Sequence, residues 1–319
     1  MNRNCVVGLA VGVLSAFPVW SQRPSIPPQA IIGPALDYEW QDAAEFLELP
    51  ADFEFDQVAS ADVDTAGHLF VLHRGNEPLL EFDAEGRFLR SFGEGLFQRA
   101  HSLSIDAEGA LWVTDVTAGL VMKLDRDGRI LLSLGEAGQA GVWDEAAGIR
   151  RFDQPTDVAI AANGDFFVTQ GHSRGEPAVL KFDRDGRFIK SWGSRGSLPW
   201  EFAVAHSIVI DSDGLLYVGD RENRRIQVYD LDGQFLKGWV YRGMACSLYL
   251  SDDGNIFMTT GFDAQIVKLD MSGRVLGVIG QPGEGDGEFG EAHDIVVASD
   301  GSILISDVIN RRLTRYRPR

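Results

Sequence analysis

His206-Ser207-Ile208-Val209-Ile210-Asp211-Ser212-Asp213-Gly214, continued by LLYVGDRENRRIQVYD to Asp230, alternates apolar and polar residues between tight-turn signals. The pattern predicts a strand, an Asp-Gly turn, a second strand, a polar turn and a third strand. It recurs along the chain. HSLSIDAEG starts at His101 and HDIVVASDG at His293, each placing a histidine eight residues before its turn glycine (Gly109, Gly301), as His206 stands before Gly214. Three further copies end at Gly67, Gly164 and Gly254, with Ala59, Thr156 and Cys246 at the histidine position. A second motif repeats with it: FDAEGRF, LDRDGRI, FDRDGRF, YDLDGQF and LDMSGRV are one hairpin written five times.

Units of roughly 40–55 residues with several short strands each are the signature of propeller blades. The six turn glycines predict an all-β chain folded as a six-bladed β-propeller. The last repeat ends at Tyr316 after three strands. Part of the stretch 37–56, which carries Trp40, Phe46, Leu47, Leu49 and Phe53, is therefore expected to supply the missing outer strand and close the ring, leaving no exposed sheet edge. Residues 136–153 form an insertion between blades two and three, and QPGEGDGEFGEA before His293 reads as a flexible acidic loop bordering a mouth.

Read around the ring, the repeated position is Ala, His, Thr, His, Cys, His. Alternate blades of a sixfold ring place three imidazoles about 120° apart around the axis. Three neutral imidazoles with an open fourth position make a catalytic-type zinc site. The competing reading, in which each histidine only caps its strand, has to explain why three of the six histidines fall at one repeat position in strict alternation.

Side chains six to eight residues past each turn glycine return to the level of the histidines. Arg74 and Arg221, on facing blades, lie there and suit a substrate carboxylate; an intramolecular salt bridge is the other reading, and both stay open. For Arg224 and Arg225 the salt bridge is expected. His172, eight past Gly164, is placed near the same mouth as a candidate general base, with a solvent-exposed loop histidine as the alternative. Cys246 reads as a buried structural thiol, His68 as exposed in its turn, and His73 as pointing away from Arg74. Deeper in the channel, Asp294 and the backbone carbonyls of Ala61 and Leu103 offer the oxygen ligands of a hard cation such as calcium.

The combination of HRG, HSL, HSI, DREN and HDI, in that order, resembles the peptidyl-α-hydroxyglycine α-amidating lyases, which are propellers of the NHL type. The likeness covers roughly residues 57–316. It implies zinc on His101, His206 and His293, a structural calcium on Ala61, Leu103 and Asp294, and active-site arginines at Arg74 and Arg221. It further implies cleavage of the N–C bond of a C-terminal α-hydroxyglycine to an amide and glyoxylate. One motif departs: the family's DGY, with the tyrosine implicated as base, is here Gln170-Gly171-His172. Either His172 replaces the base, or the substrate differs, or catalysis is lost and the chain is a binding propeller without turnover. A calcium-dependent lactonase-type propeller is the third class, against which the histidine ring argues.

Bulk properties set the remaining expectations. The formal net charge of −18 excludes a nucleic-acid backbone as a natural partner. Arg3, the apolar run 5–17 and the small residues Val19 and Ser21 read as a secretory signal over 1–21, followed by a proline-rich extended leader over 22–36 and the propeller over 37–319. After cleavage Cys246 is the one remaining cysteine, so no intramolecular disulfide forms. The expected setting is secreted or periplasmic in a bacterium, as a monomer with no membrane attachment, acting on a small molecule or peptide that ends in a carboxylate.

Overall fold

The computed structural model describes residues 29–319; the expected signal segment and the first part of the leader lie outside the described residues. Six four-stranded antiparallel sheets follow one another around a central axis. In the first five, strand order in the sheet is chain order, from the axis outward. Their innermost strands are Val58–Val63, Ala100–Ile105, Pro155–Ile160, Ala205–Ile210 and Leu248–Leu250, with Ala292–Val297 in the sixth. The sixth blade takes its outer strand from Tyr38–Asp42, which pairs antiparallel with Arg312–Pro318 and sets Trp40 opposite Tyr316. The ring is thus closed by an N-terminal strand.

The repeated motifs are explained by their turns. The six inner-turn glycines have φ between +73° and +89°, the left-handed region where a side chain is strained. In the second hairpin, Asp83, Asp125, Asp183, Asp230 and Asp270 each accept backbone N–H groups two and four residues on, which is why DxxG recurs there five times. Apolar residues of the strands between them pack blade against blade. Phe166, Phe182 and Trp143, for example, form one aromatic cluster, with Phe166 and Phe182 stacked 5.2 Å apart and Trp143 meeting Phe182 edge-on. Trp143 comes from the 136–153 insertion, which is anchored through this ring.

Two segments differ from expectation. The last residues of the leader are docked on blade five. Ile31 is buried, its N–H donates to Gln265 Oε1 at 2.7 Å, and Ala35 bridges to Val278. Apolar content as small as one isoleucine suffices because blade five supplies the rest of the core. The acidic loop before His293 is pinned: Gln281–Pro282 pairs with Glu288–Phe289, Phe289 is fully buried, and Glu288 accepts the N–H groups of Glu284 and Gly285.

Candidate metal centre

The three repeat histidines converge. Their rings lie 4.7–5.2 Å apart, centroid to centroid, and one ligand atom from each falls within 4.8 Å of the others. Each ring is oriented by the neighbouring blade. Nδ1 of His101, His206 and His293 donates to the main-chain carbonyl of Thr156, Cys246 and Ala59 at 2.7, 2.9 and 2.7 Å. Those acceptors are the residues at the same repeat position in the blades that lack histidine. With Nδ1 protonated, Nε2 is the lone-pair nitrogen. Nε2 of His101 and of His206 is buried without a hydrogen-bond partner, which is the state of a ligand atom and a costly one otherwise. Burial, reinforced by the neighbouring imidazoles for His101 and by Arg221 for His206, holds both well below the usual histidine range. Burial and Arg74 bring His293 down to about 3. All three are neutral imidazoles near neutral pH. The donor set fits a tetrahedral nitrogen-liganded metal with one position open.

Around this triad stand the other sequence candidates. His172 is half-buried, its ring 4.9 Å from that of His101 and 5.6 Å from that of His206. Gly171, at φ +103°, and the side chain of Gln170, which accepts from Asp153 N and donates to Glu176 O, set the loop that carries it. Its Nδ1 lies 2.9 Å from Ser173 Oγ, and burial together with Arg221 keeps it neutral. Arg221 is buried, with Nε and Nη2 both on Glu222 Oε1 at 2.9 and 2.7 Å. Arg74 instead donates to neutral oxygens, Ala100 O at 3.1 Å and Gln57 Oε1 at 2.8 Å, and burial and Arg99 bring it down to about 10. Arg224 and Arg225 are ion-paired with Asp263 and Asp220. Cys246 is fully buried and its thiol is pushed up by burial. His73 is enclosed between Asp56 N and Glu77 O. His68 departs from expectation: its Nδ1 is 3.0 Å from Glu81 Oε1 and the ring is only partly exposed.

One residue further along each inner strand, away from the mouth, the repeat reads Ser60, Ser102, Asp157, Ser207, Ser247, Asp294. Asp294 accepts from Ser60 Oγ at 2.5 Å, Ser247 Oγ at 2.6 Å and Ala61 N at 3.2 Å, and Ser60 Oγ lies 3.4 Å from Leu103 O. Asp294, Ala61 and Leu103 lie near one another around the Ser60 hydroxyl, but the Ala61 contact with Asp294 is made by its N–H rather than its carbonyl. A cavity of about 10 Å³ separates this ring from the histidines. Below it the channel widens to about 500 Å³, lined by Asp62, Asp157 and Asp294. Burial raises all three; repulsion from Asp294 adds to it for Asp62 and Asp157, which reach about 7, while hydrogen bonds from Ser247, Ser60 and the backbone oppose it for Asp294. The reading of the sequence missed Asp62 and Asp157, although Asp157 occupies the repeat position of Asp294. It also missed the tier two residues before each histidine position, which brings Arg99 and Glu291 to the mouth. Glu291 is buried and raised to about 6 by burial, opposed by Arg221 and Arg74.

Comparison with known proteins agrees with this architecture. A family model described as a 6-bladed beta-propeller matches residues 158–265. The chain is 27% identical over 178 residues to a probable peptidyl-alpha-hydroxyglycine alpha-amidating lyase of Caenorhabditis elegans, covering 52% of this chain and 50% of that protein. It is 32% identical over 79 residues to human NHL repeat-containing protein 3, covering 25% and 23%. Among solved structures, a gluconolactonase from Xanthomonas campestris superposes with a TM-score of 0.62 at 14% identity, over 93% of this chain and 99% of that one. The chain is a six-bladed propeller with distant similarity to amidating lyases. It spans half or less of the length of the curated relatives it matches, and the gluconolactonase likeness speaks for the fold alone.

Proposed function

We propose that the protein is a zinc-dependent lyase that cleaves the N–C bond of a peptidyl-α-hydroxyglycine-like carbinolamide, giving an amide and glyoxylate. The observation that carries this is the pair of orphaned, inward-facing Nε2 atoms of His101 and His206, in a triad whose three Nδ1 atoms are all fixed by backbone carbonyls. Zinc bound there would supply Lewis acidity toward the substrate's oxygens. The rest of the chemistry falls to the chain. The neutral His172 takes the hydroxyl proton, the electron pair freed from the O–H bond forms the C=O of glyoxylate as the C–N bond breaks with its pair on nitrogen, and His172 returns the proton to that nitrogen to give the amide. Its second ring nitrogen makes no hydrogen bond among the described residues and is available for that proton.

The calcium assignment follows the same pattern: Asp294 with the Ala61 and Leu103 carbonyls would hold a structural cation that offsets the channel carboxylates. The proposed setting is secreted or periplasmic, with a substrate ending in a carboxylate. Release of glyoxylate from α-hydroxyhippurate tests the reading, with His172→Ala expected to lower kcat by roughly 100-fold or more while leaving zinc content unchanged. Zinc-loaded protein that releases none would leave the second reading, a secreted binding propeller without turnover, which the replacement of the family's tyrosine by His172 favours.

A further inference from the structure

The two arginines on facing blades are in unlike states. Arg221 is buried with Nε and Nη2 both on Glu222, so its charge is already answered. Arg74 has no carboxylate partner among the described residues: its Nε and Nη1 donate to Ala100 O and Gln57 Oε1, and Nη2 makes no hydrogen bond. Arg99 stands beside it. The two line one cavity of about 50 Å³ between blades one and two. Arg74 is fastened to the carbonyl of Ala100, the residue between Arg99 and His101. The Arg99 guanidinium makes no hydrogen bond or ion pair among the described residues; only its backbone N–H is engaged, on Asp115. Glu291 faces both guanidiniums but pairs with neither. Two adjacent guanidiniums that flank a small cavity, neither of them ion-paired with a carboxylate, repel one another, and an anion in the cavity relieves that repulsion.

We infer that Arg74 and Arg99 form the pocket for the substrate's carboxylate, and that Arg99 is a specificity-determining residue of the site. The inference rests on the lyase reading for the identity of the substrate, but not for the pocket. A cavity of about 50 Å³ has room for a carboxylate and little more, so the rest of the ligand would lie outside it. Arg221, paired with Glu222, then shapes the opposite wall.

The test uses the full chain and two probes: hippurate, which carries the carboxylate but no hydroxyl to react, and hippuramide, its neutral amide. Calorimetry on the wild-type protein is expected to show binding of hippurate in preference to hippuramide. Arg99→Ala should weaken hippurate by roughly 10–100-fold, the loss of one charge-assisted contact, with hippuramide unchanged. Arg99→Lys should recover part of the loss, because the charge returns without the fork. Melting temperatures report that the variants are folded. Equal hippurate affinity in wild type and Arg99→Ala, or no preference for hippurate over hippuramide, overturns the pocket. Glyoxylate release from α-hydroxyhippurate separates the two ideas. Arg99-dependent hippurate binding without turnover keeps the pocket and sinks the lyase reading. Turnover with an unchanged KM in Arg99→Ala keeps the lyase and sinks the pocket.

Discussion

Removing the metal should cost this protein stability by an amount the triad itself predicts. Nε2 of His101 and of His206 is buried without a partner in the metal-free chain, and a buried acceptor left unpaired costs about 1–3 kcal/mol. Two such nitrogens leave roughly 2–6 kcal/mol of unmade bonding for a bound metal to recover. A metal that binds the folded chain alone recovers it. At a free concentration 100 times its Kd, it adds about 2.7 kcal/mol to the unfolding free energy. For a domain of this size each kcal/mol moves the melting temperature by about 2 °C, so zinc should raise it by roughly 5 °C. The assay is differential scanning calorimetry of protein dialysed against EDTA, with and without added zinc, beside elemental analysis. Wild-type protein should retain about one zinc per chain, and His206→Ala should lose both the zinc and most of the thermal shift. Equal melting of the wild type with and without zinc, or an equal shift in His206→Ala, would refute the argument that these nitrogens are ligands.

The channel carboxylates predict a pH-dependent response to calcium. Asp62 and Asp157 are raised to about 7, so between their unfolded value near 3.8 and 7 the folded chain holds protons that the unfolded chain releases, and stability falls as pH rises through that window; millimolar calcium should raise the melting temperature more at pH 8, where both are ionised, than at pH 5, and an equal shift at both would count against a channel cation. The turn glycines predict a contrast measurable by urea denaturation. Gly109 (φ +81°) has open space around a would-be Cβ, so Gly109→Ala should cost about 1–2 kcal/mol of backbone strain, whereas a Cβ on Gly86 (φ +83°) would collide with the carbonyl oxygen of Phe46, so Gly86→Ala should cost more by displacing the segment after the closing strand; equal costs would show that segment to be loosely held.

The fold was legible because its punctuation is chemical. Asp-Gly pairs recur wherever a hairpin turns, and the sixth repeat visibly lacks a strand. The histidine triad was legible from register alone, since equivalent positions in a propeller meet at the axis. What escaped the reading was whatever depends on the neighbouring blade. Nothing in the sequence says that the leader's Ile31 finds a place on blade five, or that Glu288 closes its own loop by accepting two N–H groups. Nor does a lone DREN motif say that Arg221 is satisfied by the adjacent Glu222 while Arg74 goes without a carboxylate. Asp157 occupies the repeat position already used for Asp294, one after the histidine position, whereas Arg99 belongs to a tier two before it that no sequence expectation covered. A repeat alone does not say which tiers of an inner strand turn their side chains to the axis.

Taken tier by tier, the alternation of histidine with other residues has a structural reason as well as a coordinating one. Each ligand needs its Nδ1 proton held so that Nε2 faces inward, and the holder is the carbonyl of the next blade at the same level. A ligand blade therefore requires a neighbour that offers backbone but does not itself crowd the axis. Ala59, Thr156 and Cys246 share no side-chain chemistry; their common contribution to the triad is a carbonyl. That is why the non-histidine positions differ freely while the histidines recur. The division also sets the mouth apart from the channel. On the mouth side, Arg74, Arg99 and Arg221 outnumber Glu222 and Glu291 and favour an anion. Beyond the triad, Asp62, Asp157 and Asp294 favour a cation. The three imidazoles stand between regions of opposite sign, so an ion held at the triad would face an anion-favouring mouth on one side and the channel carboxylates on the other.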